Sequence, residues 1–121
     1  MNFLEINLYN KKMLGRSYFN IDSLDLAKSF FKAARTLDKE DFKIYTYLGH
    51  IYKAKKEYGK AMISYMRATT IGKKPRHEEY YSLALLYLEM KKLKLAIAMF
   101  KASVKESNRQ YKVLYQLALT S

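Results

Sequence analysis

The residues able to carry out acid–base or metal chemistry are few in this chain. Its 121 residues include two histidines, His50 and His77, and no cysteine, which excludes disulfides and thiolate metal sites. His77 is followed by Glu78 and Glu79, but consecutive residues on a helix point in different directions and cannot converge on one ion. The four glycines are isolated, so no glycine-rich loop can hold a phosphate. The sequence therefore predicts no catalytic residues, metal site or cofactor.

The chain is rich in basic and aromatic side chains. Lys and Arg number 23 against 11 Asp and Glu, a formal net charge of +12, and 12 residues are tyrosine. Such a surface attracts acidic proteins, nucleic acids or anionic membranes. The same charge also keeps a helical protein in solution, so the charge does not by itself select a partner.

The sequence gives no sign of a targeting or membrane segment. Residues 1–5 lack a basic stretch followed by a long apolar run, as a secretory signal would have. No apolar run approaches the length that spans a bilayer. We therefore expect no membrane association and a cytoplasmic location by default.

A helical motif that recurs every 34 or 35 residues organises the chain. Each copy has a small residue and aromatic residues at helical spacing, and a second small residue further on. The recurring columns are Leu14, Gly15, Tyr18, Ala27, Phe31 and Ala34; Leu48, Gly49, Tyr52, Ala61, Tyr65 and Ala68; and Leu83, Ala84, Tyr87, Ala96, Phe100 and Ser103. Leu117 and Ala118 begin one more copy.

These columns resemble the tetratricopeptide repeat (TPR) family, whose pattern is W-x2-L-G-x2-Y, then A-x3-F, then P. The second copy here reads Tyr45-x2-Leu48-Gly49-x2-Tyr52, then Ala61-x3-Tyr65. The chain departs from the pattern in the Trp column, which holds Lys11, Tyr45 and Tyr80, and in the closing Pro column, which holds Lys39, Lys73 and Asn108.

The resemblance implies an all-α fold, a right-handed superhelix of about three helix-turn-helix repeats in a single domain. The repeats would lie at about 8–41, 42–76 and 77–110, and a partial fourth repeat or trailing C-terminal helix at 111–121. Apolar spacing and turn signals predict helices at about 8–19, 42–54, 58–70, 78–90 and 93–106. A break at 20–22 separates the first of these from a further helix that ends at about 37. We expect a turn at Ser107 and Asn108 before a separate last helix.

Small residues in the recurring columns would let the two helices of a repeat approach closely. On the first helix these are Gly15, Gly49 and Ala84, and on the second Ala27, Ala61 and Ala96. The aromatic columns would fill the remaining space, and Ala34, Ala68 and Ser103 would let the following repeat pack.

In the TPR family, the exposed face of each repeat's first helix lines a concave groove, and the resemblance implies that a peptide or partner protein binds there. The predicted groove residues are Tyr9, Lys12, Arg16, Phe19, Lys43, Tyr47, His50, Lys53, Tyr81, Leu85, Leu88, Lys112 and Tyr115. This surface is basic and aromatic in its first half and apolar in its second. It suits a partner with acidic and hydrophobic residues.

Two other functions are compatible with the sequence. Pentatricopeptide repeats are of similar length and read single-stranded RNA one base per repeat, and a basic, tyrosine-rich surface suits stacking and phosphate contact. Their reader column would fall on Lys12, Thr46 and Tyr81, which form no consistent set. The chain could also associate with itself through apolar end faces. We expect a non-catalytic protein–protein interaction scaffold, with RNA binding as the alternative.

Overall fold

The computed structural model describes residues 1–71 and 77–120, without the side chains of 110–120. The described residues form six α-helices: α1 (Phe3–Asn20), α2 (Leu24–Leu37), α3 (Phe42–Ala54), α4 (Tyr58–Thr70), α5 (His77–Glu89) and α6 (Leu93–Thr120). The predicted all-α fold of helix pairs is confirmed: α1 packs on α2, α3 on α4, and α5 on α6.

The helices divide into two compact units. The first unit, Met1–Gly72, holds α1 to α4, and α2 also packs against α3. The second unit, Lys73–Ser121, holds α5 and α6. No helix in the described part of the chain is long and apolar enough to cross a membrane.

The same tight turn joins the two helices of every pair. Asp22, Lys56 and Lys91 adopt the left-handed conformation there, with φ of 62°, 62° and 60°. In each turn the next backbone N–H donates to a tyrosine carbonyl in the preceding helix, from Ser23 to Tyr18, Glu57 to Tyr52 and Lys92 to Tyr87, at 2.9, 2.8 and 2.9 Å. This bond satisfies a carbonyl that a helix end otherwise leaves without a partner.

Side-chain caps fix where α1 and α3 begin. The Asn2 side chain accepts a bond from the Glu5 backbone N–H, and the Glu5 carboxylate accepts one from the Asn2 N–H. This capping box extends α1 to Phe3, five residues before the expected start at 8. Asp41 accepts from the Lys43 N–H at 3.0 Å and begins α3 where the sequence predicted.

Two glycines leave room for an aromatic ring from the paired helix. A Cβ at Gly15 would lie 2.7 Å from the Phe31 ring, and a Cβ at Gly49 would lie 2.5 Å from the Tyr65 ring. Real Cβ atoms do not approach this closely, so any other residue would displace the ring. Phe31 and Tyr65 are both 1 % exposed and are among the largest fully buried side chains.

Most of the predicted packing residues are buried, two are half-buried and one is exposed. The buried ones are Gly15, Ala27, Phe31, Ala34, Leu48, Gly49, Tyr52, Ala61, Tyr65, Ala68, Leu83, Ala84, Tyr87, Ala96 and Ser103. Tyr18 and Phe100 are half-buried. Leu14 is 42 % exposed, so it does not share the buried environment of the other residues in its column. Its counterpart Leu48 is fully buried because α3 packs on both α2 and α4, whereas α1 packs mainly on α2.

The predicted turn at Ser107 and Asn108 is wrong, because α6 is helical without interruption from Leu93 to Thr120. The trailing helix that we expected is therefore the second half of α6. Neither residue is Gly or Pro, and Asn108 stands where the TPR pattern has its closing proline. No proline removes a backbone hydrogen bond at this point, so the helix continues.

Candidate functional site

Aromatic side chains from four helices meet at the face shared by α1 and α3. We call Phe19, Phe31, Tyr47, His50 and Tyr65 the aromatic cluster. Tyr47 stacks on Phe31 with ring centroids 4.9 Å apart and an interplanar angle of 9°. Phe19 lies 6.0 Å from Tyr47 and 6.2 Å from His50, and His50 lies 5.4 Å from Tyr65. Phe31 and Tyr65 form the buried floor, and the other three are half-buried above it.

His50 is fixed by the glycine beside it. Gly49 lets the Tyr65 ring lie directly against α3, and this places the Tyr65 hydroxyl 2.5 Å from His50 Nδ1, within hydrogen-bond distance. Burial lowers the pKa of His50 from its ordinary value of 6.5, and the nearby charge of Lys53 lowers that pKa further. His50 is therefore a neutral polar group at physiological pH.

Positive charge lies at the rim of the aromatic cluster. The Arg16 guanidinium carbon is 5.9 Å from the centre of the Tyr47 ring, within the range of a cation–π contact. Arg16 and Lys43 are exposed, and Lys53 is half-buried. An exposed guanidinium beside an aromatic surface can donate two parallel hydrogen bonds to a carboxylate while a neighbouring apolar side chain packs on the rings.

Lys12 was predicted to face the ligand, but the structure gives it a partner within the chain. Its Nζ lies 2.6 Å from Asp41 Oδ2, and both side chains are largely shielded from water. Asp41 also caps α3 through the Lys43 N–H. Lys12 therefore links α1 to the first turn of α3, and its role in partner binding stays a prediction.

The other predicted groove residues are spread over both units. Tyr9 of α1 is 52 % exposed, and Tyr81 and Leu88 of α5 are 50 % and 42 % exposed. Leu85 is half-buried, and Tyr81 contacts Phe100 edge-on at 6.0 Å within the second unit. Lys112 and Tyr115 lie outside the described side chains. The structure thus brings together Arg16, Phe19, Tyr47 and His50, with Lys53 near His50.

Sequence reasoning missed part of this site. Phe31 and Tyr65 were assigned to repeat packing alone, yet they form the floor of the aromatic cluster. A signal was present, since each follows a glycine of the same column by 16 residues, Gly15 and Gly49. The ion pair between Asp41 and Lys12 was not predicted either.

A second group of basic side chains lies over tyrosines elsewhere in the first unit, and the sequence did not reveal it. Lys28 and Lys60 lie 6.0 and 5.8 Å from the centre of the Tyr52 ring, and Arg67 lies 5.9 Å from that of Tyr45. Tyr45 and Tyr52 are each 9 % exposed, so these rings are not open to a stacking ligand. Within the described residues, no three His, Asp or Glu side chains lie close enough to hold a metal ion.

The sequence of the second and third helix pairs identifies the family. The tetratricopeptide repeat model matches residues 42–73 and 79–109, which together exceed half of the chain. The chain belongs to the tetratricopeptide repeat family. Proteins of this family typically mediate protein–protein interactions. No sequence relative is found among curated proteins.

Solved structures of TPR proteins share this fold. MamA is 25 % identical with a TM-score of 0.82, over 87 % of this chain and 61 % of MamA. YrrB, described as a TPR protein with an unusual peptide-binding site, is 20 % identical with a TM-score of 0.72, over 81 % of this chain and 50 % of YrrB. Cut9, from the APC/C hetero-tetramer Cut9–Hcn1, is 17 % identical with a TM-score of 0.77, over 82 % of this chain and 18 % of Cut9. This chain thus spans less than two thirds of each.

Proposed function

We propose that this TPR chain is a non-catalytic scaffold that binds an acidic, partly hydrophobic segment of a partner protein at the α1–α3 face. The observation that carries the proposal is the exposed Arg16 guanidinium lying over Tyr47 at the rim of the aromatic cluster. Arg and aromatic side chains are the residues that most often dominate protein interfaces.

The charges around the aromatic cluster favour an acidic segment. Arg16 and Lys43 are exposed and Lys53 is half-buried beside His50, whereas the Asp41 carboxylate in this region is paired with Lys12. A carboxylate near Arg16 would therefore meet positive potential, which speeds association and disfavours basic partners. Phe19, half-buried against Tyr47 and His50, offers an apolar contact for a neighbouring side chain.

The fold supports a peptide ligand without identifying it. YrrB has the same fold and is described as having a peptide-binding site. Binding costs free energy when side chains of the site must become ordered. Tyr47 already stacks on Phe31, and His50 already contacts the Tyr65 hydroxyl. These side chains are therefore ordered before a peptide arrives, which favours binding.

The test is selection of peptides from a displayed random library, followed by fluorescence anisotropy with the selected peptides. We expect enrichment of peptides that combine Asp or Glu with an aromatic or aliphatic residue. Arg16→Glu should weaken their binding by on the order of a hundredfold, because it places a carboxylate opposite the peptide's own. Lys32→Glu, which makes the same charge change at an exposed position of α2, should bind nearly as well as the wild type.

Single-stranded RNA is the competing probe. The tyrosines beneath Lys28, Lys60 and Arg67 are buried, which does not favour base stacking. RNA binding that disappears at physiological salt would be non-specific attraction to the +12 charge. Binding at physiological salt with a sequence preference, or selected peptides whose affinity Arg16→Glu leaves unchanged, would contradict the proposed function.

A further inference from the structure

One face of α6 is apolar and exposed. Leu93, Ile97 and Val104 are 61 %, 54 % and 58 % exposed. With the half-buried Phe100 they follow a spacing of four, three and four residues along the helix. Ile97, Phe100, Lys101 and Val104 line a hollow of about 310 Å³. This spacing places one side chain per helical turn on a single seam, the arrangement that pairs helices in coiled coils.

The first unit shows what covers the same face of an equivalent helix. In the repeat columns Phe100 of α6 corresponds to Phe31 of α2. Phe31 is 1 % exposed because Gly15 leaves room for its ring and Tyr47 of α3 stacks on it at 4.9 Å. The occupant of this face is therefore the first helix of the following repeat.

In this chain, the segment that would form that following helix cannot cover its own α6 face. Leu117 and Ala118 fall in the Leu-Gly column of a fourth repeat, yet they belong to the uninterrupted α6. A straight helix cannot fold back on itself, so a further turn would be needed. A second copy of the chain carries the same segment and can supply it, as in domain swapping.

We propose that two copies of this chain pair through antiparallel α6 helices, so that segment 110–120 of one copy covers the α6 face of the other. In the sequence, the same spacing of four and three residues continues from Val104 to Ser107, Tyr111, Leu114 and Ala118. Of the eight positions from Leu93 to Ala118 with this spacing, seven are apolar and only Ser107 is polar. The antiparallel direction is that of successive helices joined by a short turn. The pair is isologous and closes on itself.

The test is sedimentation velocity of the whole chain over a concentration series. We expect a monomer–dimer equilibrium that salt strengthens, because each chain carries a net charge of +12 and the seam is apolar. Ile97→Glu should weaken the dimer by on the order of a hundredfold through an unpaired buried carboxylate. Ala98→Glu makes the same charge change at an exposed neighbouring position of α6 outside the seam and should leave the dimer intact.

Asn108→Pro tests whether segment 110–120 is exchanged between the two copies. Proline cannot continue the helix, so the variant should regain the turn of the family pattern, let the last segment cover its own chain, and become monomeric with its circular dichroism retained. The proposal is overturned by a wild-type chain that stays monomeric throughout the series, by a dimer that salt weakens, by equal effects of Ile97→Glu and Ala98→Glu, or by an Asn108→Pro variant that dimerises like the wild type.

Discussion

The helix pairs of the first unit and the pair of the second unit bury the same aromatic column to different extents. Phe31 and Tyr65 are 1 % exposed and each lies against a glycine of the paired helix. Phe100 is half-buried, and the glycine column holds Ala84. All three rings have an aromatic neighbour, Tyr47 for Phe31, His50 for Tyr65 and Tyr81 for Phe100. The comparison therefore points to the glycine on the paired helix as the feature that accompanies full burial of the ring.

The largest expected effect comes from removing the rings themselves. Tyr65→Ala should lower the free energy of unfolding by about 3–5 kcal/mol, the usual loss for a buried aromatic side chain. Phe100→Ala should lower the free energy of unfolding by clearly less, because the Phe100 ring is already partly exposed to water in the folded chain. Urea unfolding followed by circular dichroism measures both variants. Equal losses would show that the two aromatic positions are equivalent and that the comparison is wrong.

Gly49→Ala separates the need for space from the helix propensity of the residue. Its Cβ would lie 2.5 Å from the Tyr65 ring, so we expect a loss of roughly 1–3 kcal/mol through overpacking. Gly59→Ala is the matched control in α4, where an added Cβ meets nothing within 4 Å. It should raise stability by up to about 1 kcal/mol, since alanine favours helix. A Gly49→Ala variant as stable as Gly59→Ala would exclude the steric explanation.

The fold was more predictable than the site, and particular residues show why. The bounds of α3 and α4 match the sequence prediction, because Asp41 and the turn at 55–57 are local signals. The length of α6 was missed because Asn108 replaces a proline, and the absence of a breaker is harder to detect than its presence. Helical spacing did place Arg16, Phe19, Tyr47 and His50 on one side of their helices.

Long-range pairings in the site could not be predicted from sequence. Lys12 and Asp41 are 29 residues apart, and their contact depends on how α1 lies against the start of α3. Sequence spacing gives the side of a helix on which a residue lies, but not which charged residue on another helix it will meet. That the remaining groove residues bind a partner stays a prediction.

The link between Lys12 and Asp41 gives the first unit a contact between its two helix pairs, and breaking it should have an intermediate effect. Asp41→Ala removes both the cap on α3 and the partner of Lys12, so we expect a loss of about 1–2 kcal/mol in urea unfolding. Asp41→Asn can still cap the helix but carries no charge, and it should recover most of the loss. If Asp41→Asn costs as much as Asp41→Ala, the ion pair is the dominant contribution and the cap is minor.

The smallest expected effect is a pH dependence confined to the first unit. The pKa of His50 is lowered in the folded state by burial and by Lys53, from an ordinary value of 6.5. The unfolded chain therefore binds a proton more readily than the folded one, so His50 lowers stability as the pH falls below about 6.5 and has no such effect above it. Thermal unfolding at pH 7.5 and at pH 5.5, above the usual carboxylate range, should show a drop that His50→Gln reduces. His77→Gln, the matched control in the second unit, should retain the drop. If the stability of His50→Gln falls as much between pH 7.5 and pH 5.5 as that of the wild type, other titrating groups cause the pH dependence. The two units would then not differ in this respect.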